Sequence, residues 1–228
     1  TEHASWRGWA ERQPEILRRA LWAIGRCAAH VSVGTALRDE MKEMADCDAR
    51  LHVIPCGVDS AVFTLAPPDV EKDPSQILFV GAVRPVKGLD VLLRAVAILT
   101  RQGRQEKLVV IGDSFFSAYV KAHRHAQGLV RELGLEERVT FLAGMDQKDV
   151  ARVMQQSAVL VSPSRREALG MVLVEALACG TPVVATQSGG PADIVTPEVG
   201  RLVPVENPEA LAEAIAQDER REEARRGL

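Results

Sequence analysis

Two rhythms of apolar positions alternate between residues 77 and 215. Short continuous apolar runs occupy 77–81, 107–111, 138–142, 158–162, 182–185 and 201–203. Runs of that length bounded by turn residues predict strands buried on both faces. Between them, residues 89–99, 119–133, 148–155, 170–179 and 208–215 carry apolar side chains at helical spacing. Asn207 stands where the last of these helices needs an N-cap, and Gly180-Thr181-Pro182 ends the one begun at Gly170. Strands alternating with helices predict an α/β fold built on a doubly wound parallel sheet. Such sheets bind ligands at the carboxyl ends of their strands. Gly81, Gly112, Gly144, Pro163 and Thr186 each follow a predicted strand, so they are expected to rim one crevice.

The first third has a different texture. Residues 6–30 predict an Arg-rich helix with Ile16, Leu17, Leu21 and Ile24 along one side. A short strand at 31–33, a helix at 35–45 capped by Thr35, and a strand at 50–55 follow. Residues 66–75 (APPDVEKDPS) are polar and Pro-rich and read as a linker. The chain therefore divides into 1–64, a linker at 65–76, and 77–228.

Composition narrows the class. At 46% hydrophobic and 26% charged, the chain is expected to be soluble and globular, and its length allows one large or two small cores. A net charge of −3 with no long Lys/Arg run gives no argument for a nucleic-acid or membrane partner. No apolar run approaches a membrane span, and the opening TEHASWRGWAERQ lacks a signal core. Cys27, Cys47, Cys56 and Cys179 show neither metal nor disulfide spacing and read as reduced thiols, which places the chain in a cytoplasm.

The chemistry concentrates at 158–190. A helix opening at Gly170 points unpaired amides and the positive end of its dipole outward, which makes an anion site that a glycine lets a ligand approach. Glu167 stands in the loop at the mouth, and Glu175 lies two turns further on. A carboxylate does not bind phosphate, but it accepts two hydrogen bonds from a diol. Two carboxylates flanking an anion site suit a ligand with hydroxyls at both ends and phosphates between, as in a nucleotide-sugar.

Glu167-Ala-Leu-Gly-Met-Val-Leu-Val-Glu175 resembles the E-x7-E motif of retaining glycosyltransferases of the two-domain GT-B fold, family four in particular. SPSRREALGMVLVEALACGTPVVAT is similar to that family's signature almost throughout, except that Leu169 replaces an aromatic. HVSVGTALRDEM and HVIPCGVDSAVF resemble the end of its acceptor domain. Gly81-Ala-Val-Arg-Pro-Val-Lys-Gly88 resembles its G-R-x-x-x-x-K-G loop, whose cations contact the diphosphate. Lys87 and Gly88 match. Ala82 replaces the arginine, and either Arg84 substitutes for it or that contact is lost. Thr1-Glu2-His3 resembles the strand end whose histidine lines the sugar pocket, and Gly112-Asp113-Ser114 resembles a loop near the nucleotide.

The resemblance implies a GT-B donor domain with a partial second Rossmann-like domain before it. It implies Glu167, Lys87 and His3 as catalytic. It implies donor binding by Gly81, Arg84, Lys87, Gly112, Glu167, Leu169, Gly170, Met171, Val172 and Glu175. Glu175 is expected to hold ribose hydroxyls, Glu167 sugar hydroxyls, and the amides near Gly170 and Met171 the diphosphate. No cofactor and no metal are expected. The donor is a UDP-, GDP- or ADP-sugar, and the acceptor a sugar, lipid or small molecule. Only the last third of the acceptor domain matches, so the chain is expected to be a fragment, inactive alone and prone to self-association, with membrane contact only through absent parts.

Competing readings remain. Asp46-Cys47-Asp48 matches a metal-holding D-x-D pattern but sits at a helix-to-strand turn where Asp is common. His123 and His125, two apart on a helix, face different sides. Phe115-Phe116 packs on its own helix or on a base. A non-catalytic nucleotide-binding module of the same fold is the rival function. A dinucleotide oxidoreductase is disfavoured because no G-x-G-x-x-G follows a predicted strand.

Overall fold

The computed structural model describes residues 13–45, 51–112 and 117–226. A small unit comes first: α1 (Pro14–Ile24), β1 (His30–Ser32), α2 (Thr35–Ala45) and β2 (Leu51–Val53). Strands β1 and β2 pair in parallel, with α2 as the crossover between them. The larger unit runs β3 (Asp73–Val80), α3 (Leu89–Arg101), β4 (Lys107–Ile111), α4 (Ser117–Glu132), β5 (Val139–Leu142), α5 (Gln147–Gln156), β6 (Ser157–Ser162), α6 (Met171–Ala178), β7 (Val183–Thr186), β8 (Gly200–Val203) and α7 (Pro208–Arg226).

The six strands β3–β8 form one parallel sheet in the order β5-β4-β3-β6-β7-β8. The chain steps outward from β3 through β4 to β5, then crosses to β6 and steps the other way. The reversal between β3 and β6 is the topological switch point of a doubly wound sheet. Strand β6 is buried at every position and β7 likewise, as the continuous apolar runs predict.

Two cores cover the two faces. Ile77, Phe79, Val110 and Val161 pack under α3, α4 and α7. Leu78, Leu160, Val183 and Ala185 pack under α5 and α6. Phe63 is buried in the second core, with Val58 and Val62 against it, so the segment before the expected linker is anchored to the larger unit.

Most elements lie within two residues of their expected limits. Asn207 caps α7 through a 2.9 Å bond from the Ala210 amide to its side chain. Two elements run longer than expected. Strand β3 begins at Asp73, four residues before Ile77, where Asp73 pairs with Ser157 and accepts bonds from the Ser75 amide and hydroxyl. Helix α7 continues to Arg226, well past Ile215, where the expected helix ended.

Candidate functional site

Two loops flank the switch point on the carboxyl edge: residues 81–88 after β3 and 163–170 after β6. They are strapped together. The Arg165 amide donates to the Val86 carbonyl at 2.8 Å. A Cβ on Gly88 would lie 2.0 Å from the Pro163 carbonyl oxygen, and Gly88 has φ +67, so only glycine permits this crossing. The Arg165 guanidinium completes the strap with two parallel bonds to Asp90, at 2.9 and 2.8 Å. It also binds the Pro85 carbonyl and Glu206. These bonds hold the Asp90 carboxyl below its ordinary range and push the Arg165 pKa upward.

A third loop, after β7, fixes Glu167. The Glu167 amide donates to the Ser188 carbonyl at 3.0 Å, and the Gly190 amide donates to the Glu167 carbonyl at 2.8 Å. A Cβ on Gly190 would come within 2.3 Å of the Leu169 Cα, so the Gly189-Gly190 pair serves backbone packing against this loop. Thr186 donates to the Ser164 carbonyl beneath it. Glu167 thus stands on a rigid base, and its side chain is 11% exposed.

Lys87 Nζ meets Glu167 Oε2 at 2.6 Å across the switch point, and the Ser164 hydroxyl donates to the same oxygen at 3.3 Å. Two residues 80 apart in sequence, read separately as cation and acid, form one ion pair. Behind them α6 begins at Gly170, whose φ of +95 turns the chain sharply into the helix. No side chain caps this end, and no hydrogen bond among the described residues takes the amides of Met171 and Val172. The helix therefore presents free donors and its positive end to the crevice.

Glu175 lies four residues into α6, half-buried. Burial pushes its carboxyl above the ordinary value, and no described side chain donates to it or pairs with it. One turn on, burial pushes the Cys179 thiol up to about 11, so that thiol is inert at neutral pH.

The other expected site residues distribute unevenly. Gly81 and Gly112 meet at the sheet edge, where a Cβ on Gly112 would lie 2.2 Å from the Gly81 carbonyl oxygen, so that approach requires glycine at 112, while Gly81 is favoured by its φ of +153. Leu169 is 5% exposed, so its side chain belongs to the interior and only its backbone faces the crevice loops. Met171 and Val172 are half-buried. Arg84 lines a second pocket, with Lys121, His125 and Arg165, whose lining does not include Lys87, Glu167 or Gly170. His3, Asp46, Cys47, Asp48, Asp113, Ser114, Phe115 and Phe116 lie outside the described residues. Among the described residues no three His, Cys, Asp or Glu side chains cluster as metal ligands, and Cys27, Cys56 and Cys179 form no disulfide.

Sequence reasoning missed two contacts. The Arg165–Asp90 clamp joins positions 75 apart, and its only sequence signal is an acid in the first turn of a helix. Asp193, in a 3-10 turn at Gly190–Asp193, accepts bonds from the Thr35 amide, at 2.6 Å, and the Thr35 hydroxyl. Thr35 was expected to cap α2 itself. The cap comes instead from the larger unit, which seats α2 against residues 166–168 and 188–189 around a cavity of about 320 Å³.

The six-stranded parallel sheet flanked by helices matches the architecture of GT-B glycosyltransferase structures. The chain belongs to the glycosyl transferases group 1 family, whose model matches residues 65–228. It is 33% identical over 221 residues to the D-inositol 3-phosphate glycosyltransferase of Xylanimonas cellulosilytica, covering 89% of this chain and 52% of that protein. Among solved structures it is similar to sucrose-phosphate synthase from Thermosynechococcus elongatus (30% identity, TM-score 0.77, 89% of this chain and 51% of that one). It shares the fold of Anabaena HepE, solved in complex with UDP and glucose (23% identity, TM-score 0.79, 88% and 56%). The chain spans about half the length of each. None of its described helices is long and apolar enough to cross a membrane.

Proposed function

We propose that the crevice binds a nucleoside diphosphate sugar and that the chain supplies the donor half of a retaining hexosyl transfer in the cytoplasm. The observation that carries this reading is Glu175. A half-buried carboxylate with no donor is costly, and the two hydroxyls of a ribose would satisfy it. The free amides of Met171 and Val172, one turn earlier, face where a diphosphate attached to that ribose would lie. Glu167, beyond the helix start, then accepts the sugar hydroxyls. Lys87 carries three donors, so it can keep Glu167 and also reach a phosphate oxygen.

As the bond from the anomeric carbon to the diphosphate breaks, charge grows on the departing oxygen. Lys87 and the α6 dipole stabilise it, in the role a divalent cation would otherwise fill. The acceptor hydroxyl, on a sugar, lipid or small molecule, attacks from the face the diphosphate leaves, which retains the anomeric configuration. Calorimetric titration with UDP, GDP and ADP tests the reading. One of them should bind, and Glu175→Gln should weaken it by about 1.5–3 kcal/mol, the range for hydrogen bonds to a charged group. No binding by any of the three, or full affinity in the variant, would overturn it.

A further inference from the structure

The loop that carries Lys87 into the crevice carries Arg84 to its other side. There a pocket of about 380 Å³ opens between that loop and the first turns of α4. Its inner wall is apolar: Val83, Leu89 and Ala126 are all buried. Its rim is basic, formed by Arg84, Lys121, His125 and Arg165. The one carboxylate in the lining is Asp90, which Arg165 holds through two bonds, and Arg165 binds Glu206 as well. Arg165 is thus committed to two carboxylates, and the positive character left to the rim comes from the other residues of the lining.

Lys121 and His125 are not paired in this way. Both are exposed, lie one turn apart on the same face of α4, and engage no acid or acceptor among the described residues. Two basic groups at that spacing do nothing for the helix itself and repel when both are charged. An apolar wall under a cationic rim fits an anion with a compact carbon body, and the volume suits a small molecule.

We infer that this pocket is a second binding site, separate from the donor crevice, for a small phosphate monoester whose organic part rests on Val83, Leu89 and Ala126. Its phosphate takes charge-assisted hydrogen bonds from Lys121 and His125, with Arg84 at the edge. A dianion matches this rim better than a single carboxylate does.

Phenyl phosphate is the probe, titrated by calorimetry against the chain, with inorganic phosphate and phenol as the two halves of its chemistry. Phenyl phosphate is expected to bind with a Kd below about 1 mM, more tightly than inorganic phosphate, while phenol shows no binding. The double variant K121Q/H125Q should lose about tenfold in affinity, or 1.4 kcal/mol, with an unchanged melting profile, because both side chains are exposed. Glu175→Gln should leave phenyl phosphate binding intact, which separates this test from that of the donor crevice. Unchanged affinity in the double variant, equal affinity for inorganic phosphate, or displacement of phenyl phosphate by a saturating nucleoside diphosphate would each overturn the assignment.

Discussion

Glu175 works against the stability of the chain and for its binding, and the two effects can be measured apart. Burial raises its pKa in the folded state above the unfolded value. The folded chain therefore holds that proton more tightly than the unfolded one. The favourable contribution is present at low pH, falls as pH rises past the ordinary carboxylate range, and is gone above the raised value. At pH 7 the ionised side chain is a cost. Glu175→Gln should raise the melting temperature at pH 7, with a gain that shrinks toward pH 4, while it weakens nucleotide binding. A variant that melts lower at pH 7 and binds unchanged would show Glu175 to be an ordinary surface acid. Glu167 and Lys87 invite a different comparison. Lys87→Ala removes a cation from the diphosphate and leaves Glu167 unneutralised at 11% exposure, so affinity for the free diphosphate should fall by at least about 1–3 kcal/mol. Glu167→Ala should weaken the nucleotide-sugar more than the free nucleotide, and equal losses would refute that division of roles. The candidate acids were read from the sequence through their flanks, Pro163-Ser164 before and Ala178-Cys179-Gly180-Thr181-Pro182 after, since two Glu eight apart recur by chance in many helices. The pairing of Glu167 with Lys87 was not legible, because no local signal joins positions 80 apart.

Among the elements, the loops decide how the site holds its shape. The β3 and β6 loops meet through Gly88, Val86 and Arg165, and the β7 loop clamps Glu167 through Ser188 and Gly190. Arg165 is the most connected of these, and both it and Asp90 are about 30% exposed (28% and 31%). Arg165→Met should lower stability by about 1–3 kcal/mol, since it strands a partly buried Asp90 that had two charge-assisted bonds. The Asp90 pKa is depressed in the fold, so the stability it contributes is present above the ordinary carboxylate range and lost as pH falls through the folded value. Unfolding curves of Arg165→Met and the parent should therefore converge in acid, and a gap that persists there would mean that packing, not the ion pair, is the main term. Strands and helices in the larger unit were legible because burial on both faces leaves continuous apolar runs. The start of β3 was not, since Asp73, Ser75 and Gln76 are polar and Pro74 reads as a loop; Pro is tolerated only because it stands near the strand's first residue. The end of α7 was hidden for the opposite reason. Its last turns carry no apolar face to read, yet Glu, Arg and Ala are good helix formers and prolong it.

At the scale of the molecule, the order of the two units was legible, but their contact was not. The trans cap from Asp193 to Thr35 depends on a fold in which residues 158 apart meet, and it sets α2 as one wall beside Glu167. That wall is the basis of the last prediction. Transfer needs donor and acceptor held together, and positioning supplies about 7–11 kcal/mol of the barrier in favourable cases. Across from the Glu167 loop, the described residues offer α2 alone, and Asp39, Glu40 and Glu43 are among the residues that line the cavity there. A donor seated against such a wall stays in contact with water, which weakens the stabilisation of its leaving group. The small unit also bares apolar side chains: Trp22 is 61% exposed, Val31 51% and Ile54 59%, around a sheet with two strands among the described residues. Apolar groups gathered on one unit favour association. Residues 1–228 on their own should thus bind the donor, self-associate as concentration rises, and make no glycosylated product over many turnovers. Sedimentation across a dilution series checks the association. Mass spectrometry after incubation with a donor panel and a mixed acceptor pool checks the rest. Sustained product from a monodisperse monomer would show that α2 and the β7 loop already form both walls of a working cleft.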